Sequence, residues 1–135
     1  ELVTGTISNN KKGRVGQTVL FGGPVEFKRG FLLHSSEYNI PGKTLKLDGN
    51  FNLTNDTKAL LDICEGKGPI SSIFTLGYAG WSAGQLEREI LEDSWLVAKA
   101  KHSIIFGKNY SEKYGSSLSS IGITKGYLAS ESGRA

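Results

Sequence analysis

Apolar and polar residues along this chain fall into patterns that mark out its elements. Residues 17–23, QTVLFGG, read as a strand running into a glycine pair. Residues 29–36, RGFLLHSS, read as a second strand, with Phe31 and Leu33 on one face and Leu32 and His34 on the other. In KTLKLDG, residues 43–49, Leu45 and Leu47 alternate with lysines as in a half-buried strand. FNL, residues 51–53, pairs with it across the turn Asp48-Gly49-Asn50. A helix follows, capped by Thr54 or Asn55, with Asp56 in its first turn. Leu60, Ile63 and Cys64 form its apolar stripe, Leu61 lies beside it, and Gly66 ends it in a left-handed cap with Pro69 just beyond. SSIFTLGYAG, residues 71–80, is the most apolar strand and is expected at the centre of the sheet. A second helix is expected over 83–93, strands at SWLVAKA (94–100) and SIIFG (103–107), and short helical pieces at most in the Ser/Gly-rich tail from Asn109. This order implies an α+β domain built on a mixed sheet with two main helices.

The turn into the second helix is the most patterned stretch, GYAGWSAGQLEREI (77–90). Ser82 and Gln85 have capping-box spacing, with Trp81 and Leu86 at the positions of a hydrophobic staple. Gly77 and Gly80 supply positive φ or close backbone approach. An anion site at this helix start is the competing reading. It is disfavoured because the capping box consumes the free donors and Glu87 and Glu89 add negative charge.

Composition narrows the function classes. With 135 residues the chain fits one core-bearing domain, and residues 5–16, GTISNNKKGRVG, read as a flexible lead-in. No apolar run has the length of a membrane span and no signal peptide is visible. Cys64 is the one cysteine, which rules out an intrachain disulfide and fits a reducing, cytoplasmic setting. The chain contains no methionine and reads as a piece of a longer protein. A net charge of +3 permits an anionic partner without demanding one, and the acids Glu87, Glu89, Glu92 and Asp93 cluster locally.

FGGPVEFKRGFLLHSS (21–36) and TLGYAGWSAGQLEREILEDSWLVAKA (75–100) resemble the two signature blocks of the bacterial YqgE/AlgH family. Gly22, Gly23, Pro24, Val25, Arg29, Gly30, Phe31 and His34 match the first block. Gly77, Tyr78, Ala79, Gly80, Trp81, Gly84, Gln85, Leu86, Glu87 and Trp95 match the second. The resemblance implies an α+β fold around a bifurcated, barrel-like sheet, and a protein of unestablished activity associated with transcriptional regulation or partner binding. It also implies that the family's N-terminal strands are missing here, so that a strand edge is left uncovered and self-association follows. Arg29, His34, Tyr78, Trp81 and Gln85 become the candidate motif surface. Gly22, Gly23, Pro24, Gly77, Gly80 and Ser82 become the structural motif. Where some family members carry a cysteine after the second block this chain has Ala98, so thiol chemistry does not transfer.

Other chemistry is thinly supported. PGKT (41–44) ends like a phosphate-binding loop, but Glu37 stands where its first glycine belongs. His34 and His102 lack ligand-spaced partners, so no metal or other cofactor is expected. His34 is left as a site residue beside Arg29 or, with more weight, a hydrogen-bonded structural residue. No nucleophile–base constellation is indicated, which leans away from an enzyme and leaves a hydrolase using His34 as the weakest reading. The glycosylation triplets at Asn52, Asn55 and Asn109 read as chance. A nucleic acid or a nucleotide phosphate is the alternative partner, the nucleic acid through Phe106, Lys108, Tyr110, Lys113 and Tyr114.

Overall fold

The computed structural model describes residues 18–124 in full and, for the backbone alone, residues 2–4, 7–8 and 14–15. Chain contacts separate two compact units, Glu1–Gly80 and Trp81–Ala135, and each is described by itself.

The first unit is a sheet with one long helix. Its strands are β1 (Leu2–Thr4), β2 (Ile7–Ser8), β3 (Arg14–Val15), β4 (Thr18–Phe21), β5 (Val25–Ser35), β6 (Thr44–Lys46), β7 (Phe51–Thr54) and β8 (Ser72–Tyr78), with helix α1 (Thr57–Cys64) between β7 and β8. Six strands form one sheet in the order β1-β4-β8-β5-β7-β6, while β2 and β3 pair separately. β8 is central as its apolar sequence implies, parallel to β4 and antiparallel to β5. β6 pairs with β7 in the register Leu45↔Leu53 that the Asp48-Gly49-Asn50 turn predicts. The fold is the expected mixed α+β type, but the described sheet is open, with β1 and β6 at its ends, and not closed as a barrel.

Burial follows the alternation on β5. Leu32 and His34 point inward, at 2% and 0% exposure, and pack in a core with Val19, Phe51 and Ala59. Burying Leu32 fully contributes about 2 kcal/mol. On α1, Leu60, Ile63 and Cys64 are half-buried and Leu61 is exposed, as the stripe predicts. The cap differs from expectation. Asp56 is the N-cap, its side chain accepting from Lys58 N–H at 2.8 Å, because Thr54 is held in β7 and Asn55 turns toward β5. The other end is as expected, with Gly66 at φ +74° and Lys67 N–H donating to the Asp62 carbonyl at 2.8 Å.

One backbone contact organises the sheet. Val25 of β5 pairs with Tyr78 and Gly30 pairs with Leu76, so residues 26–29 all stand opposite Gly77. On the other side of β8, β4's exit is in direct backbone contact with it. A Cβ on Gly22 would lie 2.3 Å from the Gly77 carbonyl oxygen, one on Gly23 2.2 Å from the Tyr78 carbonyl carbon, and one on Gly77 2.3 Å from the Gly23 oxygen. Gly77 also has φ +76°. Gly80 does not share this role, since its φ is not positive and its Cβ position is open to ordinary contact at 3.9 Å.

The second unit is helical: α2 (Gln85–Leu91), α3 (His102–Ile105), a 3₁₀ turn (Tyr110–Glu112) and α4 (Lys113–Ser120), around Leu118 at 3% exposure. The strands expected at 94–100 and 103–107 do not form. Residues 94–100 are exposed and carry no strand ladder, and 102–105 coil into a helical turn whose C-terminal carbonyls, Ile104 and Ile105, accept from Lys113 Nζ. A short apolar run carries too little period to separate strand from helix, and here the nearby cation decides it.

Gly77→Ala and Gly23→Ala are each expected to destabilise the protein by about 2–3 kcal/mol or more, because backbone must move to admit the methyl group. Gly80→Ala is expected to stay within about 0.5 kcal/mol of the parent. Urea denaturation of the three variants checks the contrast.

Candidate functional site: two polar clamps and a buried histidine

The bulge in β5 brings one group of motif residues together. Glu26 stands at φ 44°, in the left-handed region that a bulky side chain rarely occupies. Its carboxylate takes hydrogen bonds from Tyr78 and from Arg29 Nη1, the latter at 3.3 Å. The Tyr78 bond and then the Arg29 bond hold Glu26 below the usual carboxylate range, and the same Glu26 bond pushes the Tyr78 phenol up. Asn55 fixes the other side of the guanidinium. With its oxygen facing Arg29 it accepts from Nε at 2.9 Å and Nη2 at 2.8 Å, while its amide nitrogen donates to the Gly30 carbonyl at 2.8 Å. Arg29 also lies over the Phe31 ring at 5.4 Å, and Phe31 meets Tyr78 edge-on at 5.8 Å. Arg29 is thus held on several sides, and the neighbouring apolar residues are left exposed: Phe27 at 60%, Phe21 and Val25 less so. Pro24 and residues 26–29 line a shallow open cleft.

In the second unit, Trp81, Gln85 and Glu89 form another clamp. Glu89 Oε2 accepts from Trp81 Nε1 at 3.0 Å and Trp95 Nε1 at 2.7 Å, and Oε1 accepts from Gln85 Nε2 at 2.9 Å. The two indoles meet edge-on with centroids 5.7 Å apart. The Trp95, Gln85 and Trp81 bonds, in that order, lower the Glu89 pKa. Trp95 can fold back because α2 ends in a left-handed turn at Asp93, φ 60°, where Ser94 N–H donates to the Glu89 carbonyl at 2.9 Å. Sequence reasoning named Trp81 and Gln85 but missed Glu89 and Trp95 as their partners. The i, i+4 spacing of Gln85 and Glu89 was the available signal.

The capping box forms by halves. The Gln85 side chain reaches back to Ser82 N–H at 3.0 Å as expected, but the Ser82 hydroxyl donates to that same Gln85 oxygen and is not the N-cap. Gly84 at φ 77° holds that position. Gln85 N–H is already taken by the Ser82 carbonyl at 3.0 Å in the turn that Gly84 closes, so the hydroxyl has no N–H to accept there. Trp81, expected to staple onto Leu86, turns to Trp95 and Glu89.

His34 does not belong to a surface. It is fully buried, Nδ1 lies 2.9 Å from the Ser35 carbonyl and Nε2 2.7 Å from Thr54 Oγ1. A carbonyl only accepts, so in the neutral ring Nδ1 carries the proton and Nε2 accepts from Thr54. Thr54 Oγ1 then accepts from the Thr44 hydroxyl at 2.7 Å, and Thr44 Oγ1 from Ile40 N–H at 2.8 Å. The result is a one-way chain tying β5, β7 and β6 to the turn at Ile40. Tyr38 stands edge-on to the ring at 5.3 Å and donates to Asp62, which Lys58 also pairs at 2.6 Å. Burial and then the Asp62 bond push the Tyr38 phenol well above its ordinary range, while the Lys58 bond holds Asp62 low. Among the described residues no cluster of three or more His, Cys, Asp or Glu could hold a metal ion. No described helix is long and apolar enough to cross a membrane.

Comparison with known proteins agrees with the motif blocks. The AlgH-like family model matches residues 3–126. A UPF0301 protein of Beijerinckia indica is 50% identical over 117 residues, spanning 87% of this chain and 57% of its own length. One from Jannaschia is 42% identical over 127 residues, spanning 93% and 66%. The solution structure of the AlgH protein from Pseudomonas aeruginosa superposes with a TM-score of 0.69 at 36% identity, over 83% of this chain and 58% of that one. The chain thus spans 57–66% of the length of these relatives.

Two outcomes test these clamps. Glu89's folded pKa is lowered, so its contribution is present above the unfolded carboxylate value and is lost as pH falls through the folded one. Trp81 and Trp95 are the chain's two tryptophans, so their emission is expected to change in that acid range and Glu89→Ala to show the acid-type spectrum at neutral pH. For His34, nitrogen chemical shifts of the neutral ring are expected to report the Nδ1–H tautomer. His34→Ala is expected to cost about 2–4 kcal/mol in denaturant melts, through a cavity and an unpaired Thr54.

Proposed function

The chain belongs to the AlgH-like family, and from that premise we propose that it is a non-enzymatic partner-binding protein, any part it plays in transcriptional regulation being exerted through a bound protein. One observation carries the reading: polar side chains from both motif blocks are tied up in two paired clusters, while apolar side chains beside them are held out to solvent. Glu26, Arg29, Tyr78 and Asn55 are mutually paired, as are Trp81, Gln85, Glu89 and Trp95. Phe27, Trp95, Leu96 and Val97 are 49–67% exposed on segments these bonds fix in place. Pre-ordered aromatic and aliphatic side chains suit protein recognition, because little conformational entropy is lost on binding.

Direct nucleic-acid binding through the C-terminal aromatics draws less support. Lys113 is drawn into the second unit by the Ile104 and Ile105 carbonyls, lies over the Tyr110 ring at 5.4 Å, and has its pKa lowered by burial. That leaves it poorly placed to meet a phosphate.

A photo-crosslinking residue at position 27 or 96, against position 65 as an exposed control, tests the reading in a bacterial host. Discrete protein adducts at 27 or 96 and none at 65 are expected. Nucleic-acid adducts, or the same pattern at all three positions, would overturn it.

A further inference from the structure

Exposed apolar surface in the second unit is concentrated between Trp81 and Val97. Leu91 is 85% exposed, Val97 67%, Leu96 50%, Trp95 49% and Trp81 37%. Side chains of this size, in one short segment, mark an association face when something holds them together. Here the Glu89 carboxylate does so, by drawing both indole N–H groups to one oxygen. The left-handed turn at Asp93 then fixes where Trp95, Leu96 and Val97 leave the helix.

Charge separates this face from the rest of the chain. Residues 81–97 contain four acids, Glu87, Glu89, Glu92 and Asp93, against one base, Arg88, for a net charge of −3 within a chain of net +3. Glu87, Glu92 and Asp93 are exposed. An apolar surface with an acidic rim is matched by a segment that presents apolar side chains flanked by lysine or arginine. A neutral or acidic segment would meet the same apolar contacts with no gain, or with repulsion, at the rim. A second copy of the chain matches less well through this segment, since an isologous contact would set the acids against one another.

We infer that the Trp81–Val97 face is a docking surface for a basic, apolar-bearing segment of another protein, with Trp81, Trp95 and Leu96 as the apolar contacts and Glu87, Glu92 and Asp93 selecting for positive charge. The inference rests on the partner-binding reading and adds to it the chemistry of the partner.

Both tryptophans lie in the proposed face, so their emission reports occupancy directly. The experiment titrates the whole chain with an amphipathic Lys/Leu peptide of about 18 residues and, separately, with its Glu/Leu counterpart. A saturable emission change is expected with the Lys/Leu peptide alone, weakening several-fold between about 0.05 and 0.5 M salt as the rim charges are screened. Glu87→Gln/Glu92→Gln, which leaves the Glu89 clamp in place, is expected to weaken binding roughly tenfold with an unchanged circular dichroism spectrum. Equal affinity for the two peptides, no response to either, or an emission change with protein concentration alone would each overturn the inference. The last would give the face to a second copy. These failures are separable from failure of the partner-binding reading. Protein adducts at position 27 or 96 together with a silent Lys/Leu titration would remove only the charge selection and leave a protein partner in place.

Discussion

The first unit depends on three glycines whose backbones touch. Gly22 and Gly23 leave β4 against Gly77 and Tyr78 of β8 at separations that admit no Cβ. The contact sits at the end of a central strand that has a parallel partner on one side and an antiparallel partner on the other. It also leaves residues 26–29 without ladder partners opposite Gly77, so they loop outward as a bulge. The rest of that surface follows. Glu26 is pushed into positive φ, and its carboxylate turns to Tyr78 and Arg29. Asn55, arriving at the end of β7, fills the remaining side of the guanidinium. The motif glycines and the motif's polar cluster therefore meet at the same bulge.

Both clamps use the same physics. An ionised carboxylate is expensive to confine unless its oxygens are supplied with donors. Glu26 is supplied by a phenol and a guanidinium, and Glu89 by two indoles and an amide. In each clamp at least one donor is an aromatic side chain, so the polar bonds also orient apolar surface. Acid weakens both clamps, because their folded pKa values are lowered and the anion is the bonded form. His34 shows the neutral version. A buried imidazole is accommodated by a chain of hydroxyls in which each donor has one acceptor, and no charge is required.

The chain belongs to the AlgH-like family and shares the fold of the Pseudomonas aeruginosa AlgH protein. The geometry gives that kinship a physical content. The carboxylates Glu26 and Glu89 and the imidazole of His34 are engaged in holding strands and rings. Beside them Phe27, Trp95, Leu96 and Val97 stay accessible, the last three in the same segment as the exposed acids Glu87, Glu92 and Asp93.

Much of the first unit could be read from the chain. Alternation at Leu32 and His34, the Asp48-Gly49-Asn50 turn, and Gly66 beyond the α1 stripe are local signals, and local sterics and burial obey them, whereas Leu45 and Leu47, expected half-buried, are 60% and 39% exposed where β6 forms the edge of the sheet. The resemblance to the YqgE/AlgH blocks was likewise carried by residues adjacent in sequence. Partnerships across the fold could not be read. That Asn55 clasps Arg29 instead of capping α1, that Glu89 joins two tryptophans, and that His34 ends a chain beginning at Ile40 all depend on which strands pair and where Asp93 turns the backbone. The second unit departed furthest from expectation, at 94–107, because short apolar runs have no period of their own. Their conformation is set by what lies against them: for His102–Ile105 it is Lys113 at the helix end, and for Trp95 it is a carboxylate six residues earlier. Sequence fixes the preferences of each stretch through backbone sterics and side-chain polarity. Only the folded chain decides which donor meets which acceptor, because a hydrogen bond is specified by position in space and not by spacing along the chain.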